Sequence, residues 1–97
     1  MSKNRHNPKR DANEPEIVNA LYEIVDSKKD IERNNGTDEP DLRVWYRDTL
    51  YWLEVKTETG RLSDGQRDWI DRAIRCGQNV FVVRSVDDAL RAIGAVD

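Results

Sequence analysis

The feature that most constrains this sequence is an apolar run, YWLEVK at residues 51–56, that carries two opposite charges. Side chains of a β-strand alternate between the two faces of a sheet, so Glu54 and Lys56 lie side by side on one face. Removing two such charges from water costs several kcal/mol for each ion, and their attraction only offsets that cost. Stability alone is therefore a poor reason for this pair, and we interpret it as part of a functional site.

The first half of the chain predicts one helix and three strands. The helix begins near Asn13, which suits the N-cap position, and its apolar stripe consists of Ile17, Val18, Leu21, Ile24 and Val25. A short strand is expected around residues 30–33. The runs DLRVWY and TLYWLEVKT are separated only by Arg47 and Asp48, and this pattern predicts a hairpin.

The second half predicts a helix, a strand and a final helix. In SDGQRDWIDRAIRCG, Ser63 and Gln66 form a capping box, Gly77 ends the helix, and the inward side chains are Trp69, Ile70, Ala73 and Ile74. NVFVVRS is a continuous apolar strand, typical of one covered on both faces. Ser85 caps the last helix, VDDALRAIG. The order α, β, β, β, α, β, α predicts an α/β fold, a small mixed sheet with helices on both faces.

A length of 97 residues indicates one domain with a small core, which a dimer would help to bury. The first ten residues include Lys9 and Arg10 and contain no acidic side chain, although the chain has a net charge of −3. Such a segment can follow the phosphates of a nucleic acid, and it is equally typical of a solvated terminus. We expect residues 1–12 to form a basic flexible arm and residues 13–97 to form the folded domain.

Composition excludes several classes of protein. His6 and Cys76 are the only histidine and cysteine, so neither an internal disulfide nor a cysteine-based zinc site can form. We expect Cys76 to be a small buried residue near a helix end. The sequence has no signal peptide and no apolar run long enough to cross a membrane, which favours an intracellular, cytoplasmic location without a membrane partner.

A second carboxylate is expected beside Glu54. Asp41 begins the strand before it, and a hairpin would bring the two carboxylates together. Two close carboxylates repel each other unless a divalent cation lies between them, and Mg²⁺ prefers one or two carboxylates completed by waters and phosphates. Lys56 beside them can orient an attacking water and stabilise charge on a phosphate.

These residues carry a family resemblance. Pro40-Asp41, then twelve residues, then Glu54-Val55-Lys56 resembles the motif of the PD-(D/E)XK nucleases. The later GRLS, Gln66 and VVRS, together with NEPEI before the motif, resemble the VRR-NUC branch of that superfamily. The resemblance covers nearly all of residues 13–93 and implies a restriction-endonuclease-like αβββαβ core with a C-terminal helix.

The resemblance also implies roles. Asp41 and Glu54 would bind Mg²⁺ or Mn²⁺ with help from the backbone carbonyl of Val55. Lys56 would be the lysine of the motif, and Gln66 would hold water or phosphate at the site. An acidic residue of the first helix would also reach the metal. This residue would be Glu14, with Glu16 as the alternative.

Contacts with nucleic acid are expected from Arg61 of GRLS, from the basic arm and from Arg84 of VVRS, for which a surface ion pair is the alternative. Trp45, Trp52 and Trp69 are expected in the core or an interface rather than as stacking platforms for bases. One departure from the family pattern lies between Gly36 and Asp41, because Gly36 stands four residues before Pro40 and two extra acids, Asp38 and Glu39, intervene. This loop affects the fit of the substrate more than the binding of metal.

Two functions follow from the sequence. The first is a metal-dependent, structure-selective DNA endonuclease similar to a Holliday-junction resolvase. Small free-standing members of this branch resemble such enzymes, which act as homodimers on branched DNA in bacterial or phage-infected cells. The alternative is a nucleic-acid binding module on a nuclease fold with weak or no catalysis.

Overall fold

The computed structural model describes residues 12–96, so Lys9 and Arg10 of the predicted arm lie outside the described residues. Three helices and four strands follow one another along this part of the chain. They are α1 (Glu14–Tyr22), β1 (Ile31–Arg33), β2 (Leu42–Tyr46), β3 (Thr49–Val55), α2 (Asp64–Arg75), β4 (Asn79–Val83) and α3 (Val86–Ala92), with a 3₁₀ turn at Lys28–Asp30. The predicted order of elements is confirmed.

The strands form one mixed sheet in the order β1-β2-β3-β4. The first three strands are antiparallel neighbours, and β4 runs parallel to β3. The predicted hairpin turns at Arg47 and Asp48, whose φ angles of 52° and 63° are both left-handed. Left-handed conformations at both central positions match the twist of a two-residue hairpin loop, which fixes the register of β2 on β3.

One face of the sheet carries the main core. Helices α1 and α3 cover it, and the buried side chains are Ile17, Val18, Leu21, Ile31, Leu42, Val44, Leu53, Val55, Val83, Ala89 and Ile93. Helix α1 ends at Tyr22, so Ile24 and Val25 of the predicted stripe lie beyond its end. Both still pack against this core, because the chain turns back over the sheet.

Helix α2 covers the other face with a smaller core of Ile70, Ala73 and Val80. Three expectations about burial are wrong. Ile74 is 53% exposed, because α2 meets the sheet along the line of Ile70 and Ala73. Phe81, on the face of the main core, is 40% exposed, because β4 is an edge strand that the helices cover only in part. Cys76 is exposed, because it follows the last residue of α2.

Candidate active site

The hairpin register brings two carboxyl groups together on the face that α2 covers. Leu42 pairs with Leu53, so the same register places Asp41 across from Glu54. Asp41 Oδ2 accepts a hydrogen bond from the backbone N–H of Val55 at 2.8 Å. The Asn34 side chain donates to the carbonyl of Pro40, which holds the entry to β2. Local strand pairing therefore sets the position of Asp41.

Glu54 is the centre of this site and is only 1% exposed. Its Oε2 atom accepts a hydrogen bond from Gln66 Nε2 at 3.3 Å and lies 3.6 Å from Lys56 Nζ. Its Oε1 atom is buried, and none of residues 12–96 donates a hydrogen bond to it. A buried carboxylate oxygen without a donor is costly in a fold, so a proton, a water or a cation at this position would stabilise the site.

Burial, and after it the neighbouring Asp41 carboxylate, together raise the pKa of Glu54 from 4.5 to about 8. The Lys56 ammonium group opposes this shift but does not cancel it. The carboxyl group of Glu54 therefore keeps a proton at neutral pH when no other cation is present. A divalent cation would compete with that proton for the same position.

Gln66 performs two tasks with one side chain. Its backbone N–H donates to Ser63 Oγ and its side-chain Oε1 accepts from the Ser63 N–H, which completes the predicted capping box at the start of α2. The amide Nε2 of the same side chain donates to Glu54. The cap therefore fixes the rotamer that presents the amide to the carboxylate.

Glu14 lies at the start of α1 and is 2% exposed. Its Oε2 atom is 3.7 Å from Arg33 Nε, while Glu16 points to solvent. Within residues 12–96, no group of three or more acidic, histidine or cysteine side chains is close enough to hold a metal ion. The structure thus pairs Asp41 with Glu54 but does not join Glu14 to them in one metal-binding group.

The donor set fits a hard divalent cation. Mg²⁺ is commonly held by one or two carboxylates, with waters and substrate phosphates as the remaining ligands. Asp41 and Glu54 supply such a pair, and the buried Oε1 atom of Glu54 lacks a hydrogen-bond donor among the described residues. Val55 lies between Glu54 and Lys56, with its side chain in the main core.

Asn13 is a positioning residue that the sequence did not reveal. It occupies the N-cap position of α1, but its side chain makes no capping hydrogen bond. Instead, its amide Nδ2 donates to the carbonyls of Lys56 and Arg84, each at 3.0 Å. Asn13 therefore ties the start of α1 to the ends of β3 and β4, at the backbone of Lys56. An asparagine before a helix predicts a cap, and no local pattern distinguishes this longer-range role.

Replacing Asn13 by Asp should lower the free energy of unfolding by roughly 1–3 kcal/mol, because a carboxylate cannot donate to the two carbonyls. Urea denaturation measures this loss. The matched control is Asn19→Asp, which makes the same change at an exposed position of α1 and should shift stability by less than about 0.5 kcal/mol. Equal effects of the two substitutions would contradict the positioning role.

Arg84 holds the loop that follows β3. Its Nη1 atom donates to the carbonyls of Thr57 and Gly60 at 2.7 and 2.8 Å, and more weakly to that of Glu58. Arg61, next to Gly60, is exposed. The contacts of Arg84 thus shape the segment that connects the site to α2 and that presents Arg61 to solvent.

The unusual loop before Asp41 packs against α2. A side-chain carbon placed on Gly65 would lie only 2.8 Å from Asp38 Cγ, so this loop approaches α2 closely at position 65. Asp38 therefore lies at the first turn of α2, one residue from Gln66. Asp38 of this loop therefore lies beside the site rather than in a distant insertion.

A mixed sheet with an Asp, a Glu and a Lys at the ends of its central strands is the arrangement of a nuclease-type domain. Comparison with known families agrees: residues 4–87 match the VRR-NUC domain, and the chain belongs to that family. No match is found among curated proteins.

Two solved structures are similar to this chain. One, described as a VRR_NUC domain, is 23% identical with a TM-score of 0.65, over 84% of this chain and 94% of the other. The second, described as a VRR_NUC domain protein, is 15% identical with a TM-score of 0.65, over 87% of each chain. These similarities confirm the fold. Across residues 12–96, no helix is both long enough and apolar enough to cross a membrane.

Proposed function

We propose that this protein is a metal-dependent endonuclease that hydrolyses DNA phosphodiester bonds. The observation that carries the proposal is the environment of Glu54, a buried carboxyl group that faces Asp41, Lys56 and Gln66 at once. If Glu54 and Lys56 formed an ion pair only for stability, a second carboxylate that raises the pKa of Glu54 would serve no purpose. A cation site beside a lysine accounts for all four side chains.

Each side chain has a task in this proposal. Asp41 and Glu54, with the backbone carbonyl of Val55, would hold Mg²⁺ or Mn²⁺. When bound, such an ion supplies a positive charge that stabilises the negative charge developing on the phosphate. Lys56 orients the attacking water and donates to a phosphate oxygen, and Gln66 keeps Glu54 in place.

The basic side chains around the site supply contacts with the sugar–phosphate backbone. Arg61 is exposed next to the site, and Arg84 shapes its loop. Lys9 and Arg10 would add phosphate contacts from the arm. Glu14 would support the metal through water, because it lies buried at the start of the neighbouring helix.

Branched DNA, such as a four-way junction, is the substrate that we propose, with a homodimer as the active form in the cytoplasm of a bacterial or phage-infected cell. Symmetric cuts in two strands need two sites, which a twofold dimer provides. Support comes from the open edge of β4 and the exposed Phe81 side chain, since an uncovered strand edge pairs readily with a second copy.

The second candidate is a nucleic-acid binding module with weak or no catalysis. Two observations favour it: the acidic loop at Asp38 lies beside Gln66, and the carboxylate pair lacks a third acidic ligand among the described residues. Extra negative charge near the site would repel the phosphate that must enter it.

A cleavage panel separates the two candidates. We expect the protein to cut a four-way junction, and to cut it faster than a flap, a nicked duplex or a linear duplex, when Mg²⁺ or Mn²⁺ is present. Chelation by EDTA should stop the reaction. Calorimetric titration with Mn²⁺ should show binding to the free protein. Junction binding without Mn²⁺ binding and without cleavage would favour the binding module.

A further inference from the structure

A groove with a volume of about 270 Å³ opens on the side of the sheet that α2 covers. Trp52 of β3 and Trp69 of α2 line it together, because their rings contact each other with centroids 5.0 Å apart and planes tilted by 58°. The remaining lining residues are Arg72, Ala73, Cys76 and Gln78, and none of the six is acidic. Pockets for whole drug-sized ligands are larger, at roughly 300–1,000 Å³, so this groove suits a single ring system.

The groove continues the candidate active site. Trp52 precedes Glu54 by two residues, which places their side chains on the same face of β3 about 7 Å apart. Trp69 follows Gln66 by three residues, which places both on the same face of α2. Two contacts between α2 and β3 therefore lie side by side: the Trp52–Trp69 ring contact and the hydrogen bond from Gln66 to Glu54. The groove therefore lies beside the position at which the candidate site would hold a strand of nucleic acid.

Cationic groups flank the groove. The Arg43 guanidinium lies 5.4 Å from the centroid of the Trp52 ring, and Arg72 forms part of the wall. Both are paired on their outer sides, Arg43 with Glu32 at 3.1 Å and Arg72 with Asp68 at 3.3 Å. These pairs are solvent-accessible and contribute little to stability, so a phosphate can take the place of the carboxylates.

A polar contact completes the arrangement. Gln78 Oε1 accepts a hydrogen bond from Trp52 Nε1. The amide nitrogen of Gln78 donates no hydrogen bond to an acceptor within residues 12–96. The amide nitrogen can donate to the edge of a planar ring in the groove. Both indoles are half-buried and pack against the smaller core, as the sequence predicted, and both also line the groove.

We infer that this groove binds an unpaired nucleobase of the nucleic acid that the candidate active site holds, an inference that rests on the proposed function. Every base has a π-face that stacks on an aromatic side chain, whatever its identity. A branch, flap or gap supplies bases that are already unstacked, whereas an intact duplex must spend energy to release one. The groove thus gives the site a physical means to prefer interrupted DNA without reading its sequence.

The test measures binding of short oligonucleotides to the full chain in EDTA, so that cleavage does not interfere. The oligonucleotides carry the fluorescent base 2-aminopurine, either unpaired or within a duplex. Stacking in the groove should quench the unpaired base on binding. Trp69→Leu, which keeps an apolar side chain of good size, should abolish the quenching and weaken binding by roughly 5- to 150-fold. Trp69→Phe should restore most of both.

Trp45→Leu is the matched control, because Trp45 is an exposed tryptophan outside the groove. It should bind and quench as the parent does. Circular dichroism melts of all three variants show that each is folded under the conditions of the assay.

Cys76 provides an independent readout, since it is the only cysteine of the chain, is exposed and lines the groove. An oligonucleotide with an unpaired base should slow the reaction of this thiol with a maleimide, and a blunt duplex should slow it less. The inference would be overturned if the oligonucleotide did not protect Cys76 from the maleimide. It would also be overturned if folded Trp69→Leu bound and quenched as the parent does. Neither result would affect the proposed cleavage at Glu54. Conversion of a dimer to a monomer by Trp69→Leu would also overturn it, because a second copy would then be the occupant. Stacking without any cleavage would instead contradict the proposed function alone.

Discussion

Glu54→Gln should reduce the rate of DNA cleavage by roughly 10²- to 10⁴-fold, because the amide keeps the shape of the side chain but removes its negative charge. The substituted group can no longer serve as an anionic ligand next to Asp41. The measurement is the initial rate on a four-way junction with saturating Mn²⁺. Binding of the junction in EDTA should persist, since the backbone contacts that we propose lie elsewhere.

The matched control is Glu23→Gln, the same change at an exposed position beyond α1. It should cleave at the parent rate. If Glu54→Gln also kept the parent rate, the metal site would have to lie elsewhere and the assignment of Asp41 and Lys56 would fail with it.

The same substitution should make the metal-free protein more stable at high pH. In the folded protein the pKa of Glu54 is about 8, raised from 4.5 by burial and by Asp41. The folded state therefore binds a proton more tightly than the unfolded chain, so this contribution to stability is complete below pH 4.5 and is lost as the pH rises to 8. The unfolding free energy of the parent should therefore fall steadily as the pH rises through that window.

Urea denaturation in EDTA at a series of pH values tests this expectation. The difference in unfolding free energy between Glu54→Gln and the parent should grow from pH 4.5 to pH 8 in favour of the variant. Addition of Mn²⁺ at pH 8 should then stabilise the parent and leave the variant unchanged, because ligand binding to the folded state alone adds stability. Parallel curves for the two proteins would show that Glu54 is not buried beside a second carboxylate.

Much of the candidate site was predictable because it depends on local structure. Asp41 and Glu54 are brought together by a hairpin whose two-residue loop fixes the register. Gln66 reaches Glu54 because the capping box at Ser63 sets its rotamer. Each of these relations lies within about a dozen residues, where strand alternation and helix caps leave a clear pattern.

Other features were not predictable, because they arise where distant elements meet. Asn13 bonds to carbonyls 43 and 71 residues away, although its local pattern indicates only a cap. Arg84 binds carbonyls of a loop 24 to 27 residues before it. Trp52 and Trp69 make one groove only because α2 crosses β3 at that point.

The sequence by itself determined the order of helices and strands and the residues that meet in the hairpin, since turn residues, caps and the alternation of side chains act over short distances. The tertiary structure alone decided the chemistry of those residues. Burial against α2 raises the pKa of Glu54, and the position of β4 at the sheet edge exposes Phe81. Desolvation and edge exposure depend on which elements cover one another, and no short stretch of sequence specifies that contact.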